Sequence, residues 1–312
     1  MTQDSGRIGI FFMMAGMLFI SVNDLLIKAL SGDYALHQIV FVRNGIGLFF
    51  SFVVLRLEGG FSLLRTARPG LHVLRAVLVV VANLSFYAAI VAMPLATATA
   101  LYFIAPLLIT VLSGPVLGEW VGPRRAAAVL FGFGGVLVML WPQVSGQDIA
   151  AGWATVLPLI AAAGYAGMSV LTRKLGGQSR ASAMAIYLQS AFILSSLAFF
   201  VVAGDGRYLA DGQSAPVQFL LRAWTWPPPG DWAVLIGLGG LSACIGYTMS
   251  QAYRLSRAAT VAPFEYTLLL YATLWGWLFF AEMPTAYVVS GAALVIAAGL
   301  YVAFRAERTK SV

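Results

Sequence analysis

Apolar stretches long enough to matter recur ten times along the chain, at 8–30, 36–56, 72–92, 95–117, 125–141, 150–171, 181–203, 232–253, 258–281 and 285–304. A helix that crosses about 30 Å of hydrocarbon needs about 20 such residues. Between the stretches stand short turn and charge signals: "SGD" at 31–33, "RTARPG" at 65–70, "MP" at 93–94, "GPRR" at 122–125 and "PQVSGQD" at 142–148. One separator is long. Residues 204–231 carry "PPP" at 227–229 with Trp224 and Trp226, the residue types of an interfacial loop. The pattern predicts an all-α integral membrane protein with ten transmembrane helices.

Composition agrees with that pattern. Of 312 residues, 60% are hydrophobic and only 10% charged, where a soluble domain carries about 25% charged residues. Too few polar side chains remain to coat a water-facing surface. A single cysteine, Cys244, excludes an intramolecular disulfide, and with two histidines it leaves no set for a His/Cys metal site. No cofactor is implied. Arg7 followed by an apolar run imitates a signal peptide, but the run is too long and leads into Asp24 and Lys28 rather than a small-residue cleavage site.

The net charge of +7 would point to nucleic acid in a soluble chain. Here it has a different origin. With a cytoplasmic N-terminus, the cytoplasmic segments hold 15 of the 19 basic residues, among them Arg56, Arg65, Arg68, Arg75, Arg124, Arg125, Arg173 and Lys174. The opposite side holds Arg207 and Arg222. That asymmetry obeys the positive-inside rule, and one span more or less would scramble it. Both termini are predicted to be cytoplasmic.

Ten spans divide into two fives, and an odd number per half turns the second half over. Inverted repeats of this kind recur in secondary transporters, with the binding site near the midplane. A shift of 163 residues lays Thr110 on Thr273, Tyr102 on Glu265 and Glu119 on Glu282, and it sets "PVLGEW" over "LFFAEM". The expected units are 1–148, with helices one to five, and 149–312, with helices six to ten. Two complete halves imply that a monomer suffices.

The candidate chemistry lies where the spans break their apolar pattern. In "SVNDLLIKAL", Asp24 and Lys28 stand four apart on one helical face and can pair locally. Asp24 is about 9 Å from the end of its span at 1.5 Å per residue, and Arg43 lies at similar depth in the next. Glu265, in "PFEY", follows Pro263, which frees a backbone carbonyl within the helix. Ionisable groups inside a membrane are functional candidates by default, as substrate contacts or gates; a structural ion pair is the competing reading for Asp24, Lys28 and Arg43. Asn83 and Tyr87 in "NLSFY", Tyr247 and Gln251 in "YTMSQAY", Tyr102 and Tyr266 could add an aromatic-lined pocket for a flat organic substrate. The glycine clusters "GFGG" at 132–135, "GYAG" at 164–167 and "GLGG" at 237–240 read as close helix packing. His37 and His72, near span ends, are expected to be solvated or to face headgroups.

The chain resembles the drug/metabolite transporter superfamily, EamA type. The resemblance rests on "PLLITVLSGPVLGEWVGPRRAAAVLFGFGGVLVM" at 106–139, "APFEYTLLLYATLWGWLFFAEMPTAYVVSGAALVIAAGLYV" at 262–302, "ND" with Lys28 in the first span, and "HQIVFVRN" at 37–44. The combination looks like the subgroup that includes riboflavin and S-adenosylmethionine carriers. It implies a secondary transporter of a small organic metabolite in the bacterial cytoplasmic membrane, working by alternating access. An aromatic amino-acid or drug exporter of the same fold is the alternative. A membrane-embedded enzyme would want clustered carboxylates at an interface, and a channel or scramblase would conduct without saturation. Protons are the candidate coupling ion and Glu265 their carrier, since desolvation favours a carboxyl group that can take up a proton. Asp24→Asn is expected to lower transport far more than membrane insertion; uptake normalised to protein in the membrane checks it, and unchanged uptake would leave Asp24 without a transport role.

Overall fold

The computed structural model describes residues 3–66, 68–118, 122–144, 152–175, 181–210, 212–255 and 262–308. Among them the chain is helical, with α1 (Gln3–Leu30), α2 (Leu36–Glu58), α3 (Pro69–Ala92), α4 (Leu95–Tyr102), α5 (Ala105–Leu117), α6 (Pro123–Val144), α7 (Leu157–Leu175), α8 (Ala181–Ala203), α9 (Ala215–Leu221), α10 (Pro229–Leu255), α11 (Thr267–Phe280) and α12 (Ala286–Arg308). Short 3-10 turns at Phe61–Leu64, Gly152–Val156 and Ala262–Tyr266 join them. Seven helical stretches are long and apolar enough to cross a membrane, the α4–α5 run Leu95–Leu117 being one, and Ala126–Pro142 and Ala286–Tyr301 are shorter apolar helices. Residues 256–261, where the expected span 258–281 begins, lie outside the described residues, as do Glu119 and most of "PQVSGQD".

The helix ends follow local chemistry. Pro69 and Pro123 open α3 and α6, where a missing N–H costs nothing. Pro106, at the start of α5, cannot donate to the preceding turn, and the helix breaks at Phe103–Ile104. The break keeps its hydrogen bonds: Phe103 N–H reaches Thr99 O at 3.1 Å and Ile104 N–H reaches Leu101 O at 3.3 Å. Gly118 closes α5 in the left-handed region at φ 72°, and Ala281 closes α11 there at φ 53°. Glycine adopts that conformation freely, whereas an alanine is strained in it.

Helices before residue 148 pack mainly on helices after it. The broad contacts are α1 on α10, α2 on α8, α3 on α7 and α6 on α12, with α4 on α11 and α5 on α7 alongside. Small residues set these distances, as the glycine clusters predict. A Cβ on Gly135 would stand 2.7 Å from the Gly291 carbonyl and 2.9 Å from Leu294 Cβ. On Gly164 it would meet Leu78 O at 2.8 Å, and on Gly239 it would meet Ile46 Cβ at 2.6 Å.

Three surface expectations are corrected. His37 is buried, stacked between Phe199 and Trp224, and it takes a hydrogen bond from the Trp224 indole. His72 is buried against Tyr187, with ring centroids 4.8 Å apart. Arg75 is buried too, bonding Thr172 Oγ1 at 2.7 Å. Each sits near a helix end, but Trp224 of the long loop covers His37, and side chains of α8 and α7 pack on His72 and Arg75. The long loop is likewise folded down: Gln38 Nε2 donates to Thr225 O at 2.6 Å, and the Tyr34 hydroxyl bonds Asp231. Burial and that carboxylate push the Tyr34 phenol up to about 12.

Gly135→Val should cost about 1–3 kcal/mol through overpacking at the α6–α12 crossing. Gly134→Val, where an added Cβ meets nothing within 4 Å, should stay within about 0.5 kcal/mol. Thermal unfolding of the detergent-purified pair checks this, and equal losses would refute the packing role of Gly135.

Candidate functional site

Two cavities compete for attention. The larger, about 470 Å³ between α3 and α8, is walled by Val73, Val77, Val81, Ala191 and Leu194 and offers a ligand almost nothing polar. The smaller, about 160 Å³, is lined by Ile20, Asp24, Val79, Ala82, Asn83, Phe86, Tyr87, Tyr102, Tyr165 and Leu268. Selective sites need a few well-placed polar groups within apolar walls, so the smaller one is the candidate site. Its walls come from helical spacing. Residues 20 and 24 share one face of α1; 79, 82, 83, 86 and 87 share one face of α3. Tyr102 arrives from the last residue of α4, just before the break, and Tyr165 from α7.

A polar network borders the cavity. Arg43 Nη1 donates to the Tyr87 hydroxyl at 2.8 Å and to Asn23 Oδ1 at 3.2 Å. Asn23 Nδ2 donates to Asp24 Oδ1 at 3.1 Å and to Tyr87 at 3.0 Å. The guanidinium also lies 5.4 Å from the centre of the Tyr87 ring. Asp24 and Arg43, both buried, are thus joined through Asn23 rather than by direct contact. The aromatic wall is continuous: Phe86 and Tyr102 centroids are 5.1 Å apart, Tyr102 and Tyr165 5.7 Å.

Lys28 goes elsewhere. Its ammonium holds both Glu282 oxygens, at 2.7 and 2.9 Å, and the Met93 carbonyl at 3.1 Å. Glu282 Oε2 also accepts the Leu95 N–H at 3.1 Å. The ends of α1 and α11 and the α3–α4 connection are tied together by four hydrogen bonds, over the end of the bundle where α1 stops. The expected local pair with Asp24 is therefore corrected. One turn further on, Lys28 reaches the helix end, where three acceptors complete its donors. Ala281 presents Glu282: with the alanine left-handed, Glu282 N–H closes back on Gly276 O at 2.9 Å.

Of the expected site residues, the structure brings Asp24, Asn83, Tyr87 and Tyr102 into one cavity, with Arg43 behind Tyr87. Glu265 stands in the 3-10 turn before α11, partly buried and outside the cavity lining. Tyr266 packs against Phe103 at 5.0 Å, its hydroxyl filling the space beside Gly299. Tyr247 and Gln251 bond each other at 2.9 Å, and Tyr247 is 60% exposed on α10, outside the cavity lining. Sequence reasoning missed Asn23, Phe86, Tyr165 and Glu282 as site groups. Asn23 stood beside a chosen aspartate, and Glu282 lay opposite Glu119 in the repeat alignment. No group of three His, Cys, Asp or Glu side chains is placed to hold a metal among the described residues.

Comparison with known proteins adds independent findings. The model of the EamA-like transporter family matches residues 7–141. A riboflavin transporter of Rhizobium johnstonii is 31% identical over 262 residues, covering 84% of this chain and 79% of its own. An S-adenosylmethionine uptake transporter of Rickettsia prowazekii is 26% identical over 307 residues, covering 97% and 95%. A crystal structure covering 99% of each chain superposes with a TM-score of 0.62 at 18% identity, which speaks to the fold alone.

Ala281→Gly should stabilise the fold by about 0.4–1 kcal/mol by relieving the left-handed alanine, whereas Lys28→Ala should cost about 3–5 kcal/mol by stranding the Glu282 carboxylate. Unfolding of both variants, alone and together with Glu282→Gln, checks the pair. Additive losses for Lys28→Ala and Glu282→Gln would mean the two groups do not act together.

Proposed function

We infer the function from one premise: the chain belongs to the EamA-like transporter family, within the drug/metabolite transporter superfamily, and is a multi-pass membrane protein. We propose that it is a secondary carrier which moves a small organic metabolite across the bacterial cytoplasmic membrane by alternating access. The flavin and S-adenosylmethionine named for its relatives are the first candidate substrates. The observation that carries the reading is the aromatic cavity edged by Asp24 and Asn83, lying beneath a charged closure at one end of the bundle.

The proposed architecture is ten crossings in two inverted halves, 1–148 and 149–312, with both termini cytoplasmic. Several features support it. Exchanging each helix for its counterpart in the other half maps the broad contacts onto one another: the α1–α10 contact becomes α7–α3, and α5–α7 becomes α11–α1. The 163-residue shift sets the α4–α5 break at Phe103 on the 3-10 turn at Tyr266, and left-handed Gly118 on left-handed Ala281. In this topology the Lys28–Glu282 closure faces outside, so the arrangement is closed outward. Opening outward requires that cluster to separate, which makes it the outer gate. Glu265, in the 3-10 turn before α11, is the proposed proton carrier.

Counterflow in proteoliposomes tests the reading. Protein loaded with unlabelled riboflavin or S-adenosylmethionine should drive saturable accumulation of the labelled compound. Glu265→Gln should keep exchange but abolish its response to an imposed pH gradient. Linear, non-saturating flux would replace the carrier with a channel. A pH response that survives Glu265→Gln would move coupling to another group.

A further inference from the structure

We infer that the carrier switches state by exchanging two helix seams. The α2–α10 seam, shut in this structure, opens while the α3–α8 seam, parted here by the 470 Å³ cavity, closes. The inference rests on the carrier reading and its inverted halves. It gives the larger cavity a role, as the room into which the switch moves.

Helix registers make the two seams counterparts. Leu36–Glu58 of α2 lies on Ala181–Ala203 of α8 residue for residue, 145 apart. Pro69-Gly70 and Pro229-Gly230 open α3 and α10, 160 apart. Across the first seam, a Cβ on Gly239 would stand 2.6 Å from Ile46 Cβ. The same registers carry Ile46 to Ala191 and Gly239 to Val79. At that place the second seam holds the cavity instead, lined by Ala191, Ser190 and Val80. Accordingly, α2 packs more broadly on α10 than α3 does on α8. Two equivalent seams, one shut and one parted, are the two arrangements of a single bistable element. Apolar walls that face a void forgo dispersion contacts, so closing one seam offsets the opening of the other.

Other contacts map onto themselves and are the same in either state. Pro123 and Ala286 open α6 and α12, 163 apart. A Cβ on Gly132 would stand 3.1 Å from Ala298 Cβ. Under that register the contact becomes Gly135 against Val295, where an added Cβ would stand 3.0 Å from Cγ2. Phe103 and Tyr266 are likewise each other's counterparts, and their rings touch at 5.0 Å between centroids. Contacts that are their own image lie on the axis relating the halves. The α6–α12 crossing and the Phe103–Tyr266 pair therefore form the pivot about which the seams exchange.

Disulfides across each kind of contact, in the full chain with Cys244→Ser, test both parts in proteoliposomes. The probe is riboflavin or S-adenosylmethionine, whichever the unaltered chain exchanges. Oxidised Ile46→Cys/Gly239→Cys should lower counterflow at least about tenfold below its own reduced form, because a covalent bond then holds the seam shut. Oxidised Gly132→Cys/Ala298→Cys should stay within about twofold of its reduced form. A seam disulfide without effect overturns the exchange, and a pivot disulfide that stops flux overturns the pivot. A second measurement needs no substrate. In membranes, Gly239→Val, which forces α2 and α10 apart, should raise the oxidised yield of a Val80→Cys/Ala191→Cys pair at least about threefold. Gly240→Val, where an added Cβ meets nothing within 4 Å, should leave that yield unchanged. If Gly239→Val does not fold, the oxidised and reduced seam disulfide decides alone. An unchanged yield with Gly239→Val, in a chain that performs counterflow, sinks the exchange and leaves the carrier standing. A raised yield in a chain without counterflow keeps the exchange and sinks the carrier.

Discussion

A guanidinium held within a hydrocarbon layer must find its partners in the protein, and Arg43 finds them at Nη1, while its Nε stays buried without one. Water offers no alternative at 7% exposure. The answer is a small cooperative network, in which Asn23 accepts from Arg43 and donates to both Asp24 and Tyr87. Such networks hold their members firmly because each lost bond leaves a group unsatisfied in a low dielectric. Tyr87 in turn fixes the α3 face that carries Asn83 and Phe86. The cavity owes its shape to this anchoring of α3 against α1 and α2.

Much of this was legible in the chain. Long apolar stretches carry the helical architecture, because hydrocarbon thickness dictates length and every backbone group must be bonded internally. The mid-span polar residues Asp24, Asn83, Tyr87 and Tyr102 do come together around one cavity, since nothing but function or pairing keeps such groups in a span. The partners were harder to read. Lys28 could have met Asp24 one turn away, and only the fold brings Glu282 to it from 254 residues along the chain. Tyr165 sat inside a glycine cluster that reads as packing. It is both: Gly164 lets α7 touch α3, and that contact delivers the next residue to the cavity.

Histidine and arginine near span ends showed the opposite failure. Position along a helix measures depth, not which way a face turns or how far a neighbour extends. His37 lies at the start of α2, yet the loop folded over it by Trp224 and Thr225 makes it a buried stacking partner. A one-dimensional hydropathy trace contains no information about that roof. The same roof fixes Tyr34 and Gln38, so the longest connection acts as a structural layer.

The two charged clusters also differ in when they can form. Asn23, Arg43 and Tyr87 all belong to the first three helices, separated by 20 to 64 residues. A ribosome delivers them early, and their polar groups can be satisfied while most of the chain is still unmade. Lys28 has no such luxury. Its carboxylate partner is translated near the end, so through most of synthesis the ammonium must rely on its long stem to reach the headgroups from the end of α1. Completion of the chain, rather than insertion of the first hairpin, is the moment at which this end of the bundle can seal.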